Sequence, residues 1–133
     1  MQRINIPTNN PFGDEFGYSR AVRVGNHIHV AGTVAQPPHD QGDAYTQAKG
    51  ALGIIEKALG EAGASLSGVV RTVVYITDTD NHRILAIDPV GLLSVVAGTS
   101  DAGFSGDGGP ADQSSLDGPS GLAVDSDGNL YVA

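Results

Sequence analysis

The chain has 133 residues, of which 40 % are hydrophobic, so it is long enough for one ordinary domain and short for two. A net charge of −8 and the lack of any apolar run near the ~18 residues of a membrane span argue against nucleic acid and membranes as partners. The lack of cysteine excludes disulfides, thiolate zinc sites and cysteine nucleophiles, and it fits a cytoplasmic protein.

The N-terminal region lacks the apolar stretch of a secretory signal and instead predicts β structure. Ile4 and Ile6 alternate with polar residues and indicate a short edge strand, which a loop follows. The segments 20–24 and 27–32 then alternate apolar and polar residues. Gly25-Asn26 between them is typical of a two-residue hairpin turn with Gly first. We therefore expect a hairpin here.

One helix is predicted after a loop at 35–42. Asp43 is placed as its N-cap and Gly63 as the residue that ends it. Three internal glycines each cost about 1 kcal/mol relative to alanine, so the helix is expected to depend on packing against a sheet. The apolar positions recur at spacings of three and four and form one stripe: Ala48, Ala51, Leu52, Ile55, Ala58, Leu59 and Ala62.

The composition changes at the end of the next predicted strand, which spans 69–77 and is apolar on both faces in places, as in a central strand. Residues 1–78 carry six Lys/Arg and seven Asp/Glu. Residues 79–133 carry one Lys/Arg and eight acids, all of them Asp. Because Lys and Glu favour helices whereas Asp and Gly favour turns, two portions are predicted, with the boundary after residue 78.

The second portion is predicted to be β-rich without a helix. One hairpin is expected from 83–88 and 92–98, and another from 121–125 and 130–133 around the turn "SDGN". Some twenty residues rich in Gly, Asp and Ser separate the two hairpins. The predicted fold class is therefore α+β, with a second segment that could complete the sheet of the first.

Residues 1–78 resemble the RidA family, also called YjgF or L-PSP-like proteins. The stretches "FGYSRAVRVGNHIHVAGT" (16–33) and "GDAYTQAKGALGIIEKALGEAGASLSGVVRTVVYITD" (42–78) carry the resemblance, with hairpin, helix and strand in the family's order. The resemblance implies a chorismate-mutase-like α+β fold and a homotrimer with ligand clefts at the subunit interfaces. It also implies hydrolysis of reactive enamines and imines to ketoacids and ammonia by active members.

The resemblance places the substrate-binding cleft at Tyr18 and at Ala31, Gly32 and Thr33. Tyr18 stands where the family has the Tyr of a "GPY"-like turn, and Ala31-Gly32-Thr33 stands at the family's "SG" after the second hairpin strand. Both positions also have a structural interpretation. Tyr18 would then be an ordinary loop aromatic, and Thr33 would serve strand packing.

Active members of the family also use an arginine in a "P-x-R-S"-like motif to hold the substrate carboxylate, and a glutamate near the C-terminus to handle water. Here the last arginine is Arg83 and the last glutamate is Glu61. A bidentate guanidinium is hard to replace at a carboxylate site. The catalytic residues therefore stay unassigned, and the sequence supports ligand binding more than deamination.

Residues 78–133 resemble an NHL-repeat β-propeller blade. The stretches "TDNHRI", "VVAGT" with "GFSGDGGPA", and "GPSGLAVDSDGNLYVA" carry this resemblance and cover about one blade in shifted order. Within it His82 is interpreted as a structural turn residue. One repeat cannot bury both of its faces, because repeat folds need about three stacked units. The alternative function is therefore a non-catalytic interaction or scaffold module.

Two features raise the question of a metal site. His27 and His29 alternate on one strand face without an acidic partner at a fixed spacing, which is typical of the polar face of a hairpin. The stretch "GDGGPAD" (106–112) lacks the order of an EF-hand loop and its closing Glu, so its Asp residues are assigned to turns. We predict neither a metal site nor a cofactor.

Overall fold

The computed structural model describes residues 2–8, 12–125 and 128–133. The chain divides into two compact units, Met1–Val69 and Val70–Ala133. Each unit is built around antiparallel strands, and the long helix belongs to the first. The α+β class predicted from the sequence is therefore confirmed.

The first unit contains a three-stranded antiparallel sheet. Its strands are β1 (Arg3–Ile6), β2 (Ala21–Val24) and β3 (His27–Val30), in the order β1-β2-β3, so β1 is an edge strand as predicted. A short helix, α1 (Phe12–Phe16), lies between β1 and β2, where the sequence predicted only a loop. Gly25 opens the turn between β2 and β3 with φ of 60°, a conformation that glycine adopts without strain, which confirms the Gly-first hairpin.

The long helix, α2 (Ala44–Glu61), begins and ends where its capping residues predict. The Asp43 carboxylate accepts the backbone N–H of Thr46 at 2.8 Å, which satisfies a donor that has no partner within the helix. Hydrogen bonds from the Thr46 side chain and backbone hold the pKa of Asp43 below its ordinary value. Gly63 follows the C-cap with φ of 79°.

Only the C-terminal half of the predicted apolar stripe of α2 is buried. Ala58 and Ala62 pack with Ile6 and Ala21 in the core of the first unit. Nearer the N-terminus, the side chain of Leu52 is 51 % exposed. The expected packing of the helix against a sheet is therefore confirmed for the C-terminal half of the stripe, whereas Ala48 and Leu52 in its first half are exposed.

A second contact ties the hairpin to the end of α2. Arg23 donates from Nη1 to the carbonyl of Ala62 at 2.7 Å and from Nε to the carbonyl of Gly25 at 2.9 Å. The last carbonyls of a helix have no partner within it, so a guanidinium here satisfies a group that burial would otherwise penalise. Arg23 thus fixes the β2–β3 turn against the C-terminus of the helix.

The second unit contains two small sheets. Strands β4 (Val74–Asp78), β5 (Arg83–Ile87) and β6 (Leu93–Ala97) form a three-stranded sheet in that order. Strands β7 (Leu122–Val124) and β8 (Leu130–Val132) form a two-stranded one. Both predicted hairpins are confirmed, although Ser126 and Asp127 of the turn "SDGN" lie outside the described residues.

The strand predicted at 69–77 is shorter and lies elsewhere in its sheet. It begins at Val74, and Val70 is 96 % exposed. β4 is an edge strand that pairs with β5, so the central position expected from its apolar residues was wrong. Apolar composition alone does not distinguish a strand paired on both sides from one that leaves valines in solvent.

The sheets of the second unit do not have the architecture of a propeller blade. A blade is a four-stranded sheet, whereas the described residues form sheets of three and two strands. The NHL part of the predicted fold is therefore not confirmed. The division of the chain at residues 78 and 79 stays a prediction.

The change of composition at residue 78 falls inside a hairpin. The β4–β5 connection runs through a 3₁₀ turn, Thr79–Asn81, and His82 has φ of 50°. Asp78 accepts hydrogen bonds from Asn81 Nδ2 at 2.9 Å and from Arg83 Nε at 2.6 Å. A single carboxylate thus holds both sides of the connection.

Two further hydrogen bonds join this connection to the segment before β7. Thr79 Oγ1 donates to the carbonyl of Pro119 at 2.8 Å, and the Gly118 N–H donates to His82 Nδ1 at 3.1 Å. His82 therefore has the structural role expected of it. The hairpin is part of the hydrogen-bonded framework of the second unit rather than a linker.

The central side chain of the second unit is Ile84, which is fully buried on β5. We predict that Ile84→Ala lowers the free energy of unfolding by about 2–5 kcal/mol, since it removes buried methyl groups and leaves a cavity. Val90→Ala, at a position 88 % exposed, should change it by less than about 0.5 kcal/mol. Urea denaturation of both variants measures this, and equal losses would contradict the assignment of the core.

The hairpin connection should be sensitive to acid. Hydrogen bonds from Asn81 and then from Arg83 hold the pKa of Asp78 below its ordinary value of 3.8. A carboxyl whose pKa is lower in the folded state stabilises that state above the ordinary value, and the contribution is lost as pH falls through the lowered one. Asp78→Asn should therefore reduce stability at neutral pH and flatten its fall in acid.

Chemical denaturation from neutral pH to below pH ~4 measures this effect. Asp101→Asn removes the same charge from an exposed position and should change stability at neutral pH by less than about 0.5 kcal/mol. A profile of Asp78→Asn that coincides with that of the unsubstituted protein would show that Asp78 does not support the hairpin.

Candidate functional site

The segment that follows β3 is held in place by a single arginine. The Ala31 N–H donates to the carbonyl of Arg20 at 3.0 Å, which extends the β2–β3 pairing by one residue. Arg20 Nη1 donates to Thr33 Oγ1 at 3.2 Å and makes a longer contact of 3.4 Å with the carbonyl of Gly32. Thr33 Oγ1 in turn donates to the carbonyl of Ala31 at 2.8 Å. The residues predicted to line a cleft therefore form one hydrogen-bonded group.

Tyr18 lies in the connection between α1 and β2, two positions before Arg20. Its side chain is 41 % exposed, and its backbone N–H donates to the carbonyl of Gly13 at 3.1 Å. The structure thus gathers Ala31, Gly32 and Thr33 around Arg20, while the described hydrogen bond of Tyr18 leads back toward α1. The assignment of all four residues to a ligand cleft stays a prediction.

Arg20 is the residue of this group that the sequence reasoning missed. Ala21 pairs with Val30 and Val24 pairs with His27, so the same antiparallel register places Arg20 opposite Ala31. The two-residue turn at Gly25 fixes that register. The signal was therefore present in the sequence, as a basic residue directly opposite the predicted cleft segment.

Arg20 also lines a cavity of about 150 Å³ within the first unit. This cavity combines polar groups with an apolar wall, and its lining residues are Pro7, Arg20, Gln36, Ile54, Lys57, Ala58 and Glu61. Lys57 and Glu61 are one helical turn apart on α2, with Nζ and Oε1 separated by 3.9 Å. The arrangement offers two cations, a carboxylate and an amide to a small polar molecule.

The histidines and the Gly-Asp-rich stretch lie on exposed surfaces. His27 and His29 are exposed on β3, and residues 106–112 form exposed turns, in which the Gly109 N–H donates to the carbonyl of Gly106 at 3.0 Å. Within the described ranges, no three His, Cys, Asp or Glu side chains converge as metal ligands would. No described helix is both long and apolar enough to span a membrane.

The family called Endoribonuclease L-PSP matches residues 9–87, which is more than half of the chain. The hairpin, the helix packed on it and the β4–β5 hairpin all fall within these residues. The chain belongs to this family, the L-PSP or YjgF group to which residues 1–78 show a resemblance. The match ends within the segment that resembles an NHL repeat and gives that interpretation no support.

Individual relatives cover different shares of the chain. The uncharacterized protein SCO2049 of Streptomyces coelicolor is 34 % identical over 109 residues, which are 73 % of this chain and 81 % of that protein. The RutC family protein PYRAB12510 of Pyrococcus abyssi is 41 % identical over 68 residues, which are 48 % of this chain. The chain spans about half the length of this archaeal relative, with 54 % of it covered.

A solved structure is also similar to the chain. It is that of Rv2704 from Mycobacterium tuberculosis, described as a member of the highly conserved YjgF/YER057c/UK114 family. The sequence identity is 42 % and the TM-score is 0.49. The similarity covers 58 % of this chain and 62 % of that one.

The contact between Arg20 and Thr33 can be tested separately from any ligand. Thr33→Val removes the hydroxyl that accepts from the partly buried guanidinium, and we predict a loss of about 1 kcal/mol in the free energy of unfolding. Thr33→Ser keeps the hydroxyl and should lose less. Urea denaturation of both variants measures this, and a Thr33→Val variant as stable as the unsubstituted protein would show that the hydrogen bond to Arg20 does not contribute.

Proposed function

We propose that this protein binds small reactive enamine or imine metabolites in a cleft lined by Tyr18 and by Ala31, Gly32 and Thr33. The observation that carries the proposal is the hydrogen-bonded group in which Arg20 holds Thr33 and Gly32 while Thr33 holds Ala31. This group gives a hydroxyl and several backbone atoms fixed positions, which is what orientation of a small polar ligand requires. Membership of the L-PSP family supports the proposal.

The cleft is proposed to form between the subunits of a homotrimer. Phe16 and Val34 are each 71 % exposed and flank the cleft residues in sequence, and Tyr18 between them is 41 % exposed. Exposed apolar side chains that adjoin a polar site are typical of surfaces that a partner covers. A second subunit would bury them and close the cleft on one side.

Deamination places further demands on the site. Hydrolysis of an imine adds water across the C=N bond and releases a ketone and ammonia, so a group must direct the water and another must hold the substrate carboxylate. The last glutamate of the sequence is Glu61, whose side chain is 45 % exposed. Its Oε1 lies 3.9 Å from Lys57 Nζ, so this glutamate is paired with a lysine on α2 and is not part of the proposed cleft. We therefore propose binding as the principal activity, with deamination slow.

The alternative is a non-catalytic interaction or scaffold module in which residues 79–133 act as an NHL-like segment beside the portion 1–78. Val90 and Phe104 are each 88 % exposed, and Tyr131 is 59 % exposed. Such side chains would suit contact with a protein partner. The family match favours the small-ligand proposal.

Three measurements test the proposal. The first is the mass of the protein in solution, which should be that of a trimer.

The second measurement is ligand binding. Pyruvate, as a small ketoacid product, should bind in calorimetric titrations, and Tyr18→Ala should weaken this binding by about tenfold or more because an aromatic wall is lost. Tyr45→Ala, at a position 74 % exposed on α2, is the matched control and should leave binding unchanged.

The third measurement is ammonia release from an imine that an amino-acid oxidase generates in the same solution. A rate above that of buffer supports slow deamination. A buffer rate with pyruvate binding intact removes the enzymatic part of the proposal and leaves the binding part. A monomer that binds no ketoacid would overturn both parts and favour the interaction module.

A further inference from the structure

The cavity lined by Arg20 lies against α2 within the first unit and is separate from the cleft proposed above. Four of its lining residues belong to α2, namely Ile54, Lys57, Ala58 and Glu61, and no lining residue is part of the segment Ala31–Thr33. Its volume of about 150 Å³ equals that of a protein cavity able to hold benzene. The site therefore has room for a molecule of about six heavy atoms.

The charges around this cavity favour an anion. Arg20, directly before β2, and Lys57 on α2 contribute two cations, whereas Glu61 contributes one carboxylate. Both described hydrogen bonds of the Arg20 side chain use Nη1. A guanidinium has five N–H donors, so Arg20 can hold Thr33 and still donate to a ligand.

Glu61 competes with such an anion for Lys57. Its carboxylate lies 3.9 Å from Lys57 Nζ, and the two side chains are 45 % and 64 % exposed. An ion pair this exposed between residues four apart on a helix is weak. An incoming oxyanion can therefore take Lys57 from Glu61 at little cost, and Gln36 offers an amide N–H as a further donor.

We propose that this cavity binds a small oxyanion, with Arg20 and Lys57 as its cationic ligands and Gln36 as a neutral donor. The chemistry suits a free phosphate or the carboxylate of a small acid. Arg20 supplies the charged hydrogen bonds and also joins the anion to Thr33. Glu61 weakens binding by repelling the anion and by pairing with Lys57.

The experiment uses the full chain and titrates it with sodium phosphate and, separately, with sodium acetate, at an ionic strength held constant with chloride. Two-dimensional NMR should show saturable shifts of the amides of Arg20, Gln36 and Lys57. Arg20→Gln should weaken binding by about tenfold or more, and Lys57→Gln by about threefold. Glu61→Gln should tighten it by about threefold.

Arg3→Gln is the matched control for charge, because it removes one arginine from β1, where Nε donates to Asn5 Oδ1. It should leave the affinity unchanged. Saturation by phosphate alone assigns the site to tetrahedral anions, and saturation by acetate assigns it to carboxylates. Either result supports the proposal.

Three results would overturn it: shifts that do not saturate, equal weakening by Arg3→Gln and Arg20→Gln, or an affinity that Glu61→Gln does not raise. If Arg20→Gln does not fold, Lys57→Gln and Glu61→Gln on α2 still test whether the cavity binds an anion. Lys57 and Glu61 take no part in the proposed metabolite cleft. If the cavity binds no anion, the proposed function is unaffected. If the cleft binds no metabolite, the proposal of an anion site is likewise unaffected.

Discussion

The close packing of α2 against the first sheet is the contact on which the rest of the first unit depends. Alanines meet at this contact: Ala21 on β2, Ala58 on the helix and Ala62 at its C-cap share one buried cluster and are between 1 % and 3 % exposed. Small side chains let the helix approach the sheet closely, and Arg23 then reaches the carbonyl of Ala62. Since the helix contains three glycines, it gains much of its stability from this contact.

The functional proposals follow from where this packing places Arg20. Arg20 directly precedes Ala21, so a buried alanine fixes the backbone from which the guanidinium extends. The guanidinium holds Thr33, and Arg20 also lines the cavity beside α2. A single arginine thus connects a segment that suits a metabolite with a cavity that suits an anion.

The sequence predicts those features that depend on neighbouring residues. The N-cap at Asp43, the end of α2 at Gly63 and the turn at Gly25 all follow from local backbone chemistry, and the structure has them where expected. The predictions that depend on the extent of a sheet were wrong in part. Leu52 is exposed, and β4 is an edge strand of the sheet that the described residues form.

The candidate site was predictable to a similar degree. Ala31, Gly32 and Thr33 came from resemblance, and the hairpin register could have added Arg20. The cavity could not be predicted, because it joins Arg20 before β2, residues of α2 and the loop at Gln36, which no sequence spacing relates. The composition change at residue 78 suggested a boundary between two portions. That boundary stays a prediction, and the structure has a hairpin at this point, held by Asp78 and Arg83.

Native-state hydrogen exchange tests the central claim, that α2 and the first sheet form one cooperative structure that positions Arg20. The amides of Leu59 and Ala62 on the helix should open with the same free energy as those of the β2–β3 pairing, and both should respond alike to added denaturant. Helix amides that open at a clearly lower free energy than the strand amides would contradict the account. Arg20 would then rest on a hairpin that is stable without the helix.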